Sequence, residues 1–275
     1  MIEAKISAFL ICKNEENCIE SALKSLSWAD EIVVVDGEST DRTLEIVKKY
    51  TDKIFVRPWT NFGEQRNFAL SKTKNPWVFF LDSDEVCSAD LISWFVEFKT
   101  KGTVGMAHTV TRSNSLHPLG SPELVRVDLY EIRRLEHFRG RIYRFGAANP
   151  SHQWRFFRRE QTTFKGTVHE YPVVRGLILR LERPIYHFPK TSLSEFIEKM
   201  NRYSSLEANS LYEKRIVHRA PYMFFSGLSM FLKAFFRKQG FRDRTLGFIL
   251  AVLDASGFFL RQAKLYLKNR AAGRI

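Results

Sequence analysis

Three carboxylates, Asp82, Asp84 and Glu85, follow directly on the apolar run WVFFL at residues 77–81. Repulsion among carboxylates this close is unfavourable unless water, a proton or a cation relieves it. The spacing therefore predicts a positively charged partner at this point of the chain. It also raises the question of which elements bring the carboxylates to a place where that partner can bind.

The first hundred residues alternate between strand and helix patterns. Apolar runs predict four strands, at 6–12, 31–36, 53–58 and 77–82, of which the first is expected to be buried on both faces and the third to be stopped by Pro58. Between them, Asn14 is predicted to cap a first helix, the segment STDRT to open a second, and residues 63–70 to form a third.

Successive strand–helix units predict a parallel, doubly wound sheet, with ligands beyond the carboxyl ends of the strands. Asp36 and Asp82 both stand at such ends and are expected to meet at one edge of the sheet. Asp41 is open to a simpler interpretation, because an aspartate at that position can also cap the next helix.

The remaining chain divides at about residue 190. Turn signals, basic clusters and strand-like pieces fill residues 101–190 and are interpreted as the second half of the same domain. Beyond 191 the pattern becomes helical, and Ser192 with Glu195 is typical of a capping box. The predicted organisation is thus an α/β domain at 1–190, with halves 1–100 and 101–190, and a helical extension at 191–275.

The formal net charge of +13 is unevenly distributed. Residues 1–100 carry 12 Lys and Arg against 17 Asp and Glu, whereas residues 101–275 carry 31 against 13. A basic surface attracts phosphates, whether of nucleic acid, anionic lipid or a small ligand. Cys12, Cys18 and Cys87 have no CxxC spacing, which argues against a disulfide framework and a zinc site.

Membrane attachment is predicted from the C-terminal third. No signal-peptide layout is present, and no apolar stretch reaches the roughly 20 residues of a membrane span, so a cytoplasmic location is expected. Two apolar segments of about 15 residues, 222–236 and 246–260, flank the basic RKQGFRDR. They predict peripheral binding to the anionic inner face of the cytoplasmic membrane; the alternative is that they pack on the α/β domain or on another subunit.

Four motifs carry a family resemblance. KNEEN, VVVDGESTDRT, GEQRN and FFLDSDE, in that order over about residues 5–95, resemble the nucleotide-sugar half of family 2 glycosyltransferases of the GT-A fold. The chain is most similar to the branch that adds sugars to the lipopolysaccharide core, with softer matches at RFFRR, VHE, YHF and RKQGFRD. The resemblance implies a GT-A, Rossmann-like nucleotide-sugar-binding sheet with a C-terminal helical extension.

The activity implied by the resemblance is metal-dependent, inverting sugar transfer. The donor would be a nucleotide sugar, with UDP as the nucleotide; the cation would be Mg²⁺ or Mn²⁺; and the acceptor would be the lipopolysaccharide core or another glycolipid. Alternatives are a polyprenyl-phosphate or protein acceptor, a degenerate transferase that acts as a binding partner, and a non-catalytic nucleic-acid- or phosphate-binding protein. Nucleic-acid binding is disfavoured because no recognition module is present and the N-terminal edge is acidic.

The resemblance also assigns residues of the donor site. Asp82 would lie near the ribose and the metal, Asp84 would coordinate the metal, and Asp36 would hydrogen-bond the base or the ribose. Arg66 would meet the nucleotide or its phosphates, where a guanidinium fork fits well; alternatively it is a solvated helix residue paired with Glu64.

An acceptor hydroxyl must lose its proton as it attacks, and a positioned carboxylate is the usual base. Glu170 in VHE is the predicted base, with Glu85 and Asp128 as alternatives. His187 is the predicted additional metal ligand, and His169 is a second candidate. One departure from the family pattern concerns the Asp36 loop, where Gly37 precedes Glu38 although the family often has a small residue followed by glycine.

Overall fold

The structure is a computed structural model that describes residues 4–102, 111–112, 127–138, 141–146, 151–165, 171–173, 177–188 and 193–275. The strands within these residues are β1 Ile6–Cys12, β2 Glu31–Asp36, β3 Ile54–Val56, β4 Trp77–Phe80, β5 Glu85–Cys87, β6 Thr111–Arg112, β7 Val127–Phe138, β8 Arg141–Tyr143, β9 Ser151–Arg158, β10 Thr163–Lys165, β11 Tyr171–Val173 and β12 Leu177–His187. The α-helices are α1 Ile19–Lys24, α2 Thr43–Val47, α3 Phe62–Lys72, α4 Ala89–Lys101, α5 Leu193–Glu213, α6 Ala220–Leu232 and α7 Arg244–Ala271.

The main sheet has a parallel half and an antiparallel half. Its strand order is β3-β2-β1-β4-β9-β7-β12-β5, with β6 beside β12 and β8 beside β7. The first four strands in this order are parallel, which confirms the predicted α/β arrangement of the first hundred residues. From β4 onward β9 pairs antiparallel with both β4 and β7, and β5 pairs antiparallel with β12.

Helices cover both faces of the parallel half. Side chains of β1 alternate between the two faces, so that Leu10 packs with α1, α2 and α4 while Phe9 packs with α3. The first of these layers is aromatic, and the indole of Trp28 stacks on Phe95 of α4 at 3.8 Å between ring centroids. Burial of β1 on both faces explains why its sequence is apolar except at Ser7, whose buried hydroxyl donates a hydrogen bond to Glu31.

The prediction for the first helix is wrong at its start. Asn14 does not cap α1, which begins at Ile19 after a turn at 15–18. Instead Asn14 adopts φ +55°, a left-handed conformation that asparagine tolerates better than most residues. The third helix was predicted well, and Asn61 caps α3 by accepting a hydrogen bond from the backbone N–H of Glu64 at 2.9 Å. Ser192 lies outside the described residues.

Backbone contacts group the chain into two compact units, which are described separately below. The first consists of residues 1–135 and 151–188, and the second of residues 136–150 and 189–275. Residues 136–150 thus group with the C-terminal helices, and the domain boundary at 190 stays a prediction. Among the described residues, one helical stretch, Gly240–Ala271, is long and apolar enough to cross a membrane by length and composition, a test that core helices also pass.

Candidate active site

The turn after β4 carries the clustered carboxylates. The N–H of Leu81 still donates to the carbonyl of Phe9 at 3.1 Å, and the N–H of Glu85 donates to the carbonyl of Asp82 at 3.0 Å, which closes the turn. Asp82 and Asp84 therefore lie at the carboxyl edge of the parallel strands, where ligands of open α/β sheets bind.

A histidine from the far end of the first unit joins this turn. Pairing of β5 with β12 sets His187 opposite Glu85, and the N–H of Phe188 donates to the carbonyl of Asp84 at 2.8 Å. As a result Nε2 of His187 lies 3.1 Å from Oδ2 of Asp84, although the two residues are 103 positions apart in the sequence. The structure thus brings together two of the predicted metal ligands.

Arg66 reaches the same turn from α3. Its guanidinium donates from Nη2 to Oδ1 of Asp82 at 2.6 Å, and its side chain is 8% exposed. Arg66 is therefore not a solvated helix residue. The structure brings it to Asp82, and its contact with the nucleotide or its phosphates stays a prediction.

A second arginine, Arg155 of β9, lies beneath the turn. Its Nη2 donates to Oδ2 of Asp82 and to Oε1 of Glu85, each at 2.7 Å. Oε2 of Glu85 in turn accepts from the backbone N–H of Asp82 at 3.2 Å. Arg155 thus ties the first and third carboxylates of the cluster together, and it is the positive partner that their crowding predicted.

Burial and charge act on these groups in opposite directions. Burial disfavours the charged form of Asp82, but the charges of Arg155 and Arg66 outweigh this and hold its pKa well below the usual range. Burial, together with the charge of Asp82, raises the pKa of Glu85 against the opposing effect of Arg155. The guanidinium of Arg155 also loses hydration, yet Asp82 and Glu85 keep its pKa above the ordinary value.

The ring of Phe80 supports both guanidinium groups. The central guanidinium carbon lies 4.8 Å from the ring centroid for Arg66 and 4.3 Å for Arg155. Such contacts stabilise cations that have lost part of their hydration. The apolar end of β4 therefore has a second role, because it helps to hold the two cations that neutralise Asp82.

These residues border a pocket of about 570 Å³. Its wall is lined by Ile11, Cys12, Lys13, Asn14, Glu15, Trp59, Phe62, Arg66, Asp82, Ser83, Asp84 and His187. The rings of Trp59 and Phe62 meet edge to face at 5.1 Å between centroids. The pocket thus combines an aromatic wall, basic groups and a pair of potential metal ligands, a composition that suits a charged ligand with a planar part.

The departure at Gly37 has a steric reason. A side-chain carbon at this position would lie 2.7 Å from Cε3 of Trp59, so only glycine allows the indole to take its place at the pocket. Glu38, where the family often has glycine, adopts φ +61°, a left-handed conformation that costs a residue with a side chain roughly 1–2 kcal/mol.

Asp36 lies beside the pocket wall and is fully buried. Its Oδ2 accepts from the N–H of Ser39 at 2.8 Å and its Oδ1 from the Ser39 hydroxyl at 2.5 Å, while the thiol of Cys12 lies 3.6 Å from Oδ1. In this arrangement Asp36 shapes its own loop. Its contact with the base or ribose stays a prediction.

Hydrogen bonds join the loops after β1 and β2. The carboxamide of Asn14 accepts from the N–H of Thr40 at 2.9 Å, and the N–H of Asn14 donates to the hydroxyl of Ser39, also at 2.9 Å. Asp41 accepts from the N–H of Glu16 at 3.1 Å and from the N–H of Thr43 at 3.0 Å. The KNEEN and DGESTDRT motifs therefore form one connected rim.

The candidates for the catalytic base differ in what the structure describes of them. Glu170 and His169 lie outside the described residues, so the role of Glu170 stays a prediction. Glu85 is fully buried and engaged by Arg155. Asp128 is also buried, and its Oδ1 lies 3.5 Å from Nε of Arg158. Neither of these two lines the pocket.

The residues present fit a divalent cation that is shared with a ligand. Within the described part of the chain, no three His, Cys, Asp or Glu residues group closely enough to hold an ion alone. Asp84 and His187 nevertheless converge on one point at the pocket, with Asp84 31% exposed. Mg²⁺ usually binds through one or two carboxylates plus substrate phosphates. Asp84 and His187 alone would leave coordination positions that the phosphates of a ligand can fill. Both oxygens of Asp82 are engaged by arginine, so its contact with the metal stays a prediction.

Three pocket or site residues were not predicted. Arg155 stands in the RFFRR run, whose charges are typical of a solvated surface, and its partners are 70 and 73 residues away. Trp59 stands shortly before the motif GEQRN, and Lys13 is the first residue of KNEEN, so the motifs themselves were the available signal for these two residues.

The chain is similar to several known proteins. The family model for glycosyl transferase family 2 matches residues 7–163. An uncharacterised glycosyltransferase of Rickettsia typhi is 31% identical over 95% of this chain and 86% of its own length. The lipopolysaccharide core biosynthesis glycosyltransferase LpsC of Rhizobium meliloti is 30% identical over 98% of this chain and 94% of its own length. Among solved structures, S. aureus TarS 1-349 in complex with UDP-GlcNAc gives a TM-score of 0.43 at 16% identity, with 98% of this chain and 92% of that chain covered.

Proposed function

This chain belongs to glycosyl transferase family 2, and from that premise we propose that it moves a sugar from a UDP-sugar to a lipopolysaccharide-core or related glycolipid acceptor, with the help of a divalent cation. It is a glycosyltransferase of the GT-A fold that uses a nucleotide-sugar donor. The proposal of a UDP-sugar and a divalent cation is supported chiefly by one observation: Asp84, His187 and Arg66 converge on one pocket at the strand ends.

The roles follow from the chemistry of the donor. A nucleoside diphosphate leaves the sugar as a highly charged anion, so catalysis depends on stabilising charge that develops on its oxygens. When bound, a divalent cation supplies Lewis-acid stabilisation of that leaving group. Asp84 and His187 would hold the cation, and Arg66 would donate hydrogen bonds to the diphosphate. Asp82, kept ionised by two arginines, would accept a hydrogen bond from the ribose.

The acceptor is proposed from the chain's relatives and its charge. The Rhizobium relative is named for lipopolysaccharide core biosynthesis, and the basic residues of 101–275 suit an acceptor that bears phosphates. An acceptor that is embedded in lipid would require the enzyme to work at a membrane. We therefore place the protein in the cytoplasm, attached peripherally to the inner face of the cytoplasmic membrane.

A screen of nucleotide sugars tests the donor and the metal together. We expect a UDP-sugar to raise the thermal unfolding midpoint only when Mg²⁺ or Mn²⁺ is present, because a ligand that binds only the folded state stabilises it. GDP-, CMP- and dTDP-sugars at the same concentration serve as controls. Stabilisation that is equal with and without metal would remove the cation from the proposal, and stabilisation by another nucleotide class would replace UDP.

Replacing the predicted base is a separate test. Glu170→Gln keeps the size of the side chain but cannot accept the proton of the acceptor hydroxyl, so transfer should fall by about 100-fold or more while donor binding stays nearly unchanged. Transfer rates and donor affinity are to be measured on the same preparation. Near-normal turnover would remove Glu170 from the mechanism and leave the donor site unaffected.

A further inference from the structure

The second unit contains a helical hairpin formed by α6 and α7. The two helices approach closely at Gly227, where a side-chain carbon would lie 3.4 Å from the carbonyl of Ala255 and from Cβ of Phe259. Near the other end of α6, the rings of Phe231 and Phe248 meet edge to face at 5.8 Å between centroids. The hairpin is thus packed along the length of α6.

One side of this hairpin is apolar and exposed. Phe224, Leu228 and Leu232 recur every fourth residue and are between 45% and 66% exposed, so they form a stripe along α6. An open groove of about 450 Å³ has Leu228 on one wall and Val252 on the other, so the two helices present a joint surface. We define the apolar face as the exposed residues Phe224, Phe225, Leu228, Leu232, Phe236, Phe248, Ile249 and Val252.

Basic residues stand at both ends of the apolar face. Arg215 and Arg219 precede α6 and are exposed. At the opposite end, the turn between the helices carries exposed Arg237, Arg242 and Arg244. Residues 214–249 contain eight Lys and Arg against a single acid, Asp243.

That single acid is engaged by the backbone that follows β8. The carboxylate of Asp243 accepts hydrogen bonds from the N–H groups of Arg144 at 3.0 Å and Phe145 at 2.9 Å. The guanidinium of Arg242 lies over the ring of Phe145, with 4.4 Å between its central carbon and the ring centroid. Asp243 thus fixes the turn beside a further arginine, and the charge left facing solvent at this end is positive.

An apolar face with basic residues at both ends fits an anionic bilayer better than a protein partner. The central surface of a protein interface is depleted in charge, and a basic protein partner would be repelled. A bilayer with anionic headgroups supplies apolar tails and phosphate groups side by side, at the depth that an amphipathic helix reaches.

The positions of the charges also set the orientation. If the hairpin entered with its turn first, Arg237, Arg242 and Arg244 would have to lie in hydrocarbon, where charged side chains are strongly disfavoured. In addition α6, with its 13 residues and the five-residue π-helical turn that continues it to Arg237, is about 25 Å long, shorter than the ~30 Å hydrocarbon core. We propose that the α6–α7 hairpin lies flat in the interface of an anionic membrane, with its apolar face towards the lipid tails and its two basic ends at the headgroups. This rests on the peripheral attachment proposed above.

Depth-dependent quenching tests the orientation in the full-length protein. Phe224→Cys, Leu228→Cys and Phe236→Cys, one at a time in a Cys18→Ser background, carry an environment-sensitive fluorophore; Cys12 and Cys87 are buried. The vesicles contain equal parts of phosphatidylcholine and phosphatidylglycerol, with bromine at a shallow or a deep acyl position. We expect all three labels to be quenched mainly by the shallow bromine. A depth that increases from Phe224 to Phe236, or deep quenching at Phe236, would overturn the flat orientation.

A pair of leucine-to-aspartate substitutions tests the apolar face itself. Leu228→Asp combined with Leu232→Asp should weaken binding to the anionic vesicles by about tenfold or more, with an unchanged thermal midpoint. Leu267→Asp is the matched control, since Leu267 is an exposed leucine of α7 outside the apolar face. If the wild-type protein does not bind these vesicles at low salt, the peripheral attachment fails and the hairpin proposal with it. If it binds and the double variant binds equally well, the attachment stands and only the hairpin proposal is overturned.

Discussion

Asp84→Asn is expected to lower the rate of sugar transfer by about a thousandfold, the size of effect seen when a group that stabilises transition-state charge is removed. Asp84 is 31% exposed at the pocket, and its Oδ2 lies 3.1 Å from Nε2 of His187. An amide of the same size should therefore be tolerated by the fold. It is, however, a much weaker ligand for a hard cation than a carboxylate.

The measurement combines turnover at saturating donor with a titration of Mg²⁺ or Mn²⁺. In the Asp84→Asn variant we expect the metal-dependent stabilisation by donor to shift to much higher metal concentration. Asp90→Asn is the matched control, because Asp90 is an exposed aspartate of the same unit, in the first turn of α4. Turnover of the Asp84 variant within a few-fold of wild type would show that the cation is not held at this turn.

Arg155→Met is expected to destabilise the fold by about 3–5 kcal/mol, because it removes the cation shared by two carboxylates and leaves the buried Glu85 with the more distant Arg134, at 3.5 Å. Asp82 and Glu85 each lie 2.7 Å from Nη2 of Arg155, and Glu85 is fully buried. The effect is measured as a lower urea midpoint at unchanged slope. Arg158→Met, in the same strand but only partly buried, is the control and should cost clearly less.

The same variant should respond to pH in a defined direction. Burial already raises the pKa of Glu85 in the wild type, and loss of Arg155 should raise it further and raise that of Asp82 as well. A carboxyl whose pKa is higher in the folded than in the unfolded state stabilises the fold below its unfolded pKa and loses this contribution as the pH rises. The cost of Arg155→Met should thus shrink from pH 7 towards pH 5. Adding Glu85→Gln should recover part of the loss at pH 7, and strict additivity of the two changes would contradict the shared ion pair.

The parallel half of the fold could be predicted from the sequence because its strands are buried on both faces. The predicted limits of β1 and β2 agree with the structure, since their apolar runs end where the strands end. The antiparallel half was harder to predict because its strands contain buried polar pairs. In β7, for example, Glu131 accepts from the indole N–H of Trp154 at 2.6 Å and pairs with Arg180 at 3.0 Å.

The residues of the candidate site likewise divide into those that the sequence predicts and one that it does not. Asp82, Asp84 and Arg66 belong to motifs within the first hundred residues, and strand ends together with the family resemblance were sufficient to find them. Arg155 was missed because its function depends on tertiary pairing and not on its neighbours in the sequence. The capping role of Asn14 was wrong because tertiary hydrogen bonds to the loop after β2 prevailed over helix capping.

The long-range contacts of the carboxylate turn have a consequence for synthesis of the chain. Most of the recognisable motifs leave the ribosome early, but Asp82 obtains Arg155 only 73 residues later and Asp84 obtains His187 only after 103. A nascent chain that ends before residue 155 would have Arg66 beside Asp82 but would lack both Arg155 and His187. We therefore expect the candidate site to be completed late in translation, and a fragment with all four N-terminal motifs to lack part of it.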